Sequence, residues 1–264
     1  MGVEFKRIIY EKKDGVAWIT LNNPERYNAL DYDMRRELKI SLKDAATDGN
    51  VRVVVLKGMG KAFCAGADIR AFLEWKPLDV INLFKEVGTS LVLSKIIKEM
   101  PKPVIAAVHG YCLGGGFEIA MSCDLIIATE DAVFGLPEIN IGIIPGGGGT
   151  QRFTRLVGEK KAKELIFTGD RIPAKDMLKM GVVNRVVPLD KLMDAVNELI
   201  EKIKSKSPIA IAVAKEAINV AMETYLEQGL RYELQLFAPL FSTEDQKEGV
   251  RAFLEKRKPI WKGK

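Results

Sequence analysis

Two glutamates stand in surroundings that point to acid–base chemistry. Glu118 follows directly on a glycine-rich run and has apolar neighbours, and Glu138 lies in a second apolar run after Pro137. A buried carboxylate is costly to the fold unless it serves a function. The pair therefore indicates a site for general acid–base catalysis. The alternative is that both are ordinary surface residues, because spacing alone does not separate the two cases.

A glycine-rich segment beside Glu118 could bind negative charge. Residues 109–118 read HGYCLGGGFE, and three glycines that enter a helix expose backbone N–H groups at its N-terminus. These groups and the helix dipole favour an anion. The segment lacks the Gly-Lys-Ser/Thr of a Walker A loop and the G-x-G-x-x-G of a dinucleotide-binding turn. Close packing of a helix on a strand is the simpler alternative.

A third segment, KAFCAGADI at residues 61–69, is rich in small residues and follows a predicted strand. Small residues let a backbone approach a ligand closely, and an exposed N–H there can donate a hydrogen bond. A tight turn from strand to helix is the alternative. Cys64 has no evident group to activate its thiol, so we expect a small, packed side chain.

The composition excludes several classes of protein. The chain has 264 residues, of which 47% are hydrophobic and 28% charged, with a net charge of +5. This mix is typical of a soluble globular protein, and the mild positive charge suits a polyanionic small ligand. A single histidine and three cysteines without metal-ligand spacing give no zinc motif.

We expect a cytoplasmic protein with reduced thiols, because the three cysteines all lie in apolar stretches. The first residues carry no apolar signal core. The most apolar stretch, residues 104–128, is interrupted by His109, Glu118 and Asp124. It therefore predicts a buried core and not a membrane span.

The predicted elements alternate between strand and helix. Strands are predicted over residues 3–11, 16–22, 51–57, 104–108, 125–128 and 182–187. Helices are predicted after Asp31, over residues 79–100 and 114–122, and after the caps Ser207 and Thr243. This alternation predicts an α/β fold.

Together these segments resemble the crotonase (enoyl-CoA hydratase/isomerase) superfamily. The resemblance runs from NP and NAL at residues 23–30 through FCAGADI, GGGFE, PEINIGIIPGGGGTQR and TGDRI to FLEKRKP at residues 253–259. It departs little from the family pattern: Gly147 stands where alanine or tyrosine is often seen, which removes no functional group. The resemblance implies an α/β, crotonase-like spiral of ββα units with a coenzyme A-thioester site over residues 1–200. It also implies a C-terminal helical trimerisation region over residues 201–264.

The resemblance also implies roles for residues of the site. The N–H groups of Ala67 and Gly115 would form an oxyanion hole for the thioester carbonyl. Glu118 and Glu138 match the two glutamates of the hydratase branch. Glu118 would hold the water and Glu138 would serve the α-carbon, without a strict division of the proton between them.

Coenzyme A would lie against the segment that contains Ala65, Asp68 and Ile69. Lys256 of a neighbouring subunit would reach the nucleotide phosphate. The implied partners are an acyl-CoA thioester substrate and further copies of the chain, as a homotrimer or a hexamer made of two trimers. No metal and no cofactor is expected besides the coenzyme A that the substrate carries, and neither a membrane nor a nucleic acid is expected as a partner.

The presence of both glutamates favours an enoyl-CoA hydratase, which adds water to trans-2-enoyl-CoA and gives 3-hydroxyacyl-CoA. We expect a short-chain substrate such as crotonyl-CoA, and the reaction could run as a dehydration. A Δ3,Δ2-enoyl-CoA isomerase is the alternative. An RNA-binding relative is a distant alternative, because Lys160, Lys161 and Lys163 form only a short basic cluster flanked by acidic residues.

The preferred length of the acyl chain should depend on residues 70–87. This segment contains Phe72, Trp75 and Phe84, which are expected to pack in the core unless they contact the substrate.

Overall fold

The computed structural model describes residues 5–86 and 90–264, which fold into two β-sheets and the helices around them. The strands are β1 (Ile8–Lys13), β2 (Val16–Leu21), β3 (Val53–Gly58), β4 (Ala62–Cys64), β5 (Val104–Val108), β6 (Tyr111–Leu113), β7 (Leu125–Thr129), β8 (Val133–Gly135), β9 (Ile172–Pro173) and β10 (Arg185–Val187). The helices are α1 (Tyr32–Thr47), α2 (Pro77–Glu86), α3 (Ser90–Glu99), α4 (Gly115–Ala120), α5 (Gly149–Val157), α6 (Glu159–Thr168), α7 (Ala174–Lys179), α8 (Leu192–Lys204), α9 (Pro208–Ala221), α10 (Leu226–Leu240) and α11 (Glu244–Leu254).

The two sheets are built by a repeated ββα turn of the chain. The first sheet has the strand order β1-β2-β3-β5-β7-β10 and the second has the order β4-β6-β8-β9. The strands β3, β5 and β7 pair in parallel, and so do β4, β6 and β8, which directly follow them in the chain. Helical segments return the chain from the second sheet to the first. The predicted α/β spiral is confirmed.

Successive side chains along the strands of the first sheet point to opposite faces, and each face packs in a different hydrophobic core. In β3, Val53 and Val55 pack with residues of α8, whereas Val54 and Leu56 belong to the main core on the other face. Every residue of α4 is buried in that main core. The first turn of α4, which carries Glu118, is therefore enclosed by protein, and α4 packs against β4 and β6 of the second sheet.

Three predicted helix starts are confirmed by their capping hydrogen bonds. The side chains of Asp31, Ser207 and Thr243 accept the backbone N–H groups of Met34, Ala210 and Gln246, in that order. These bonds satisfy N–H groups that have no acceptor within the first turn of a helix.

The predicted boundaries fit the central elements best. Residues 104–108 are strand β5, as predicted, and residues 125–128 lie within β7. The first strand begins at Ile8 and not at residue 3, and residues 3 and 4 lie outside the described part of the chain. The helical pattern over residues 79–100 corresponds to α2 and α3, with residues 87–89 outside the described residues.

The C-terminal helices are attached to the core through a buried lysine. Lys215 of α9 is 8% exposed. Its Nζ donates to the carbonyl groups of Ile97 and Lys102 and pairs with Asp124 at 2.8 Å. The division of the chain at residue 200 stays a prediction, and α8, which packs on the first sheet, crosses that residue. Within residues 5–86 and 90–264, every helix is too short or too polar to span a bilayer.

Candidate active site

A cavity of about 730 Å³ lies beside the N-terminus of α4. Three segments that are distant in the sequence meet in its wall, as the acid–base hypothesis requires. The predicted site residues in this wall are Ala65, Ala67, Ile69, Gly115, Glu118 and Glu138.

Gly66 lets the small-residue segment approach the start of α4. Its φ of +104° lies in a region that favours glycine. A Cβ added there would lie 3.0 Å from the carbonyl oxygen of Leu113 and 3.5 Å from the nitrogen of Gly115. The residue that follows Gly66 is Ala67, so the backbones of Ala67 and Gly115 lie close together at one wall of the cavity.

The N–H groups of Ala67 and Gly115 are both available to a ligand. Gly115 is the first residue of α4, so its N–H has no acceptor within the helix. The bridge between Leu30 and this segment uses the carbonyl of Gly66 and the N–H of Asp68. Among the described residues, neither the N–H of Ala67 nor that of Gly115 donates to another protein group. Two such donors side by side can stabilise an oxyanion.

The carboxyl of Glu118 is buried, and hydrogen bonds hold one of its two oxygens. It is 2% exposed, and its Oε1 accepts the N–H groups of Gly147 at 2.7 Å and Gly149 at 2.8 Å. Gly149 begins α5, so the carboxylate also faces the positive end of a helix dipole. Burial raises the pKa of Glu118, while the two N–H groups and the charges of Arg152 and Arg35 oppose that rise.

Glu138 is held far more loosely. It lies in a 3₁₀ helix (Pro137–Ile141), and its Oε2 is buried without a hydrogen-bond partner among the described residues. Burial raises the pKa of Glu138 to about 7, and the charge of Glu118 adds to the rise. A Cβ added at Gly114 would lie 3.0 Å from Oε1 of Glu138, so this carboxyl lies against the backbone just before Gly115.

Two predicted contacts to coenzyme A lie outside this cavity. Asp68 caps the 3₁₀ helix Ile69–Leu73, forms ion pairs with Arg26 and Arg70, and lines a neighbouring pocket. Lys256 is exposed just after α11 and does not line the cavity of its own chain. Its contact from a neighbouring subunit stays a prediction.

The sequence reasoning missed two arginines at the site. Arg35 lines the cavity, is 7% exposed, and donates from Nε to the carbonyl of Leu30 at 3.1 Å. The sequence feature that could have revealed Arg35 is its position on α1, next to the apolar face that Met34 and Leu38 form. Arg152 contacts the glycine loop that holds Glu118, and its sequence context gave no comparable sign.

Apolar side chains form the outer part of the cavity. Phe72 and Trp75 are half-buried, with ring centroids 4.7 Å apart, and they line the cavity instead of packing in the core. Ile141 and Ile144 line it from the other side. Within the predicted acyl-chain segment, residues 70–87, the side chain of Phe84 and residue 87 lie outside the described part of the chain.

Two other candidates for chemistry have structural roles. Cys64 is completely buried, and burial raises the pKa of its thiol to about 12, so it is not an activated nucleophile. The Nε2 of His109 lies 2.8 Å from the carbonyl oxygen of Gly60. Within the described ranges, no three His, Cys, Asp or Glu side chains are grouped so that they could hold a metal ion.

Comparison with known families identifies the family of this chain. The sequence model of the enoyl-CoA hydratase/isomerase family matches residues 11–264. The chain belongs to this family. The resemblance noted from the motifs is therefore confirmed over nearly the whole chain.

Similar members of the family are named as hydratases. The short-chain-enoyl-CoA hydratase of Clostridium acetobutylicum is 44% identical over 257 residues, which cover 97% of this chain and 97% of the relative. The crotonyl-CoA hydratase of Syntrophomonas wolfei is 42% identical over 255 residues, with 96% and 97% covered. The crystal structure of the enoyl-CoA hydratase from Bacillus anthracis superposes with a TM-score of 0.93 at 39% identity, covering 98% of this chain and 100% of that one. The crotonase-like fold is thereby confirmed.

Proposed function

We propose that this protein is an enoyl-CoA hydratase, which reversibly adds water to trans-2-enoyl-CoA and gives 3-hydroxyacyl-CoA. One observation carries the proposal: the buried Glu118 and the half-buried Glu138 line one cavity beside two available backbone N–H groups. Hydration needs a base for the water and an acid for the carbon, and this site offers both. The names of relatives at 42% and 44% identity support the same reaction.

The backbone donors would act on the thioester oxygen. When the oxygen of water bonds to the β-carbon, the double-bond electrons move onto the thioester carbonyl as an enolate. The N–H groups of Ala67 and Gly115 would hold this charge, and one such donor contributes roughly 3–4 kcal/mol to the transition state. The donors are already in place before the reaction, so little reorganisation is required.

The two carboxyls would move the protons. Glu118, held as an acceptor, would orient the water and take its proton. Glu138, with a pKa of about 7, would deliver a proton to the α-carbon. The enolate then collapses to the 3-hydroxyacyl thioester, and the proton count of the pair is unchanged. The protons belong to the coupled pair more than to either residue alone.

We infer that the substrate has a short acyl chain like that of crotonyl-CoA. The names of the relatives from Clostridium and Syntrophomonas support this preference. The apolar wall with Phe72 and Trp75 is the part of the cavity suited to an acyl chain. A comparison of kcat/KM across enoyl-CoA substrates of four to ten carbons tests it, and a maximum at the long end would contradict the short-chain proposal.

The reaction itself can be tested with crotonyl-CoA and the purified protein. The expected product is 3-hydroxybutyryl-CoA, identified by chromatography and mass. A 3-enoyl-CoA substrate offered in parallel separates the isomerase alternative. Rapid migration of its double bond together with negligible hydration of crotonyl-CoA would overturn the hydratase proposal.

We propose that the chain forms trimers or hexamers through its C-terminal helices. No residue of α10 is buried in the single chain. The large apolar side chains left exposed on α9 and after it include Ile218, Leu230, Leu234, Phe237 and Phe241. A second copy that covers them would remove a large apolar surface from water. Light scattering that finds a stable and active monomer at micromolar concentration would refute this assembly.

Within such an assembly, Lys256 would reach coenzyme A bound to a neighbouring subunit. Replacement of Lys256 by alanine should raise KM for crotonyl-CoA and leave kcat nearly unchanged. The exposed Lys258 offers a matched control two residues along the same segment. Equal effects of the two substitutions would show that only general charge is involved.

We also propose a cytoplasmic location with reduced thiols. The three cysteines are buried and unpaired, which suits a reducing compartment. Fractionation of the source cells with an antibody to the protein tests this, and recovery from a secreted fraction would contradict it.

A further inference from the structure

The loop that holds Glu118 cannot fix its own conformation. Residues 145–149 read PGGGG, and Oε1 of Glu118 accepts the N–H of Gly147 within this run and the N–H of Gly149, where the run enters α5. Glycine has the largest backbone freedom of any residue. A run of four glycines would therefore sample many conformations, of which only a few aim two N–H groups at one oxygen. A contact from outside the glycine run therefore has to stabilise the conformation that binds Glu118.

Arg152 contacts this loop directly. Its Nη1 donates to the carbonyl of Gly147 at 3.0 Å. Gly148 has a φ of +103°, and a Cβ added there would collide with the Arg152 guanidinium, so the guanidinium packs against the loop. Arg152 itself belongs to α5, a regular helix that begins at Gly149. The arginine thus links a rigid helix to the flexible loop that precedes it.

The charge of Arg152 also acts on Glu118. Burial raises the pKa of Glu118 and lowers the pKa of Arg152, and the charge of each residue opposes the shift of the other. The other charged groups that face Glu118 are Arg35 from α1, which also favours its ionised form, and Glu138, which interacts with it unfavourably when both are ionised.

We propose that Arg152 is a positioning residue that fixes the peptide of Gly147, so that the loop holds Glu118 in the orientation needed to bind water. This inference rests on the proposed hydratase function. Arg152 does not line the catalytic cavity, and its effect on the substrate is transmitted through Gly147 and Glu118.

Arg152→Gln, with Arg155→Gln as the matched control, tests this role. Arg155 lies on the same helix, but its Nη1 donates to the carbonyl of Gln151 and not to the loop. In crotonyl-CoA hydration, Arg152→Gln should lower kcat about 10–100-fold with little change in KM, because a slightly misplaced catalytic group costs rate and not affinity. Arg155→Gln should stay within about twofold of the wild type, as is usual for a surface substitution away from the site.

The pH profile separates positioning from a purely structural role. Without the cation, the pKa of Glu118 rises further, so the acidic limb of the kcat/KM profile should move to higher pH in Arg152→Gln. Arg152→Lys keeps the charge but not the planar guanidinium. Its acidic limb should stay near the wild-type position, with a kcat between those of the wild type and Arg152→Gln.

Three results would overturn the inference. The first is a folded Arg152→Gln protein with wild-type kcat and pH profile. The second is a loss of kcat that only follows the folded fraction, with the acidic limb unmoved. The third applies if Arg152→Gln does not fold: Arg152→Lys then decides, and a wild-type kcat in that variant rejects the role. Failure of the proposed function would be seen separately, as a wild-type protein that does not hydrate crotonyl-CoA.

Discussion

Glu118 and Glu138 face the same cavity, but the protein holds them in opposite ways. Glu118 lies on a buried helix, and one of its oxygens accepts two backbone N–H groups. Glu138 lies on a short 3₁₀ helix, and its buried Oε2 has no partner among the described residues. Arg152 and Arg35 favour the charge of Glu118, whereas no positive group is among the causes that shift the pKa of Glu138.

This difference suggests how one type of side chain can serve as both base and acid. A carboxylate fixed by donors keeps its orientation and can aim a water molecule. A carboxyl with a pKa of about 7 exists in both protonation states near neutral pH and can exchange a proton with carbon. In the proposed mechanism, the environments and not the residue types separate the two roles.

A large loss of activity is expected at Gly115, whose backbone lines the same cavity as the two carboxyls. Gly115→Pro deletes the N–H, and the first position of a helix is the one that best accepts proline. Turnover of crotonyl-CoA should fall by about 10²–10³-fold or more. Thermal unfolding checks that the variant is folded. A folded Gly115→Pro protein with substantial activity would remove the oxyanion-hole assignment.

The two carboxyls also differ in how far the sequence could predict their surroundings. The three glycines before Glu118 indicated the start of a helix, and that start is confirmed at Gly115. The N–H groups of Gly147 and Gly149 lie about thirty residues further along the chain, and their contact with Glu118 depends on tertiary packing. Neither periodicity nor capping rules describe such long-range contacts. The absence of a partner for Oε2 of Glu138 among the described residues could not be predicted either, because it also depends on tertiary packing.

Prediction of the fold from the sequence is limited in the same way, because local patterns do not describe long-range contacts. Local patterns predicted β5 and the capped starts of α1, α9 and α11, because these depend on neighbouring residues. The spiral of ββα units was implied by the family resemblance and not by local patterns, and the order of strands in the two sheets was not predicted. Nothing in the local pattern assigned a role to Arg35, because tertiary packing places it in the cavity wall.

The pH dependence should show that the two carboxyls share one proton. Below the pKa of Glu118 the pair has no base, and above the pKa of Glu138, about 7, it has no acid. The kcat/KM profile should therefore be bell-shaped and should fall about tenfold per pH unit on its alkaline side. Hydration of crotonyl-CoA and dehydration of 3-hydroxybutyryl-CoA should give superimposable profiles, because the reaction consumes no net proton.

Glu138→Gln is the variant that tests the alkaline limb. The kcat/KM profile of Glu138→Gln should lack the alkaline fall near pH 7. The profile of Glu118→Gln should retain this fall. An unchanged alkaline limb in Glu138→Gln would assign that pKa to another group.

A smaller effect is expected on stability, with a size that differs between the two sites. The pKa of Glu138 rises from 4.5 in its ordinary state to about 7 in the fold, so stability is lost as the pH rises through this range. Glu138→Gln removes this cost and should raise the free energy of unfolding at pH 8 by up to about 3 kcal/mol, with the gain fading at pH 5.

Glu118→Gln should give a smaller gain or none. It replaces a charged acceptor of two N–H groups by a neutral one, and charge-assisted hydrogen bonds are the stronger kind. Denaturant unfolding at both pH values measures the difference. Equal stabilisation by the two substitutions would contradict the contrast between the two environments.

The most direct test of the two-glutamate mechanism is the hydration rate of crotonyl-CoA in Glu118→Gln, Glu138→Gln and the double variant. Glutamine keeps the shape of glutamate but cannot exchange a proton at neutral pH. Each single variant should lose on the order of 10²–10⁴-fold in rate, with little change in affinity for the coenzyme A ester. The double variant should lose less than the product of the two, since both groups serve one transition state. A single variant that hydrates crotonyl-CoA at the wild-type rate would contradict the mechanism.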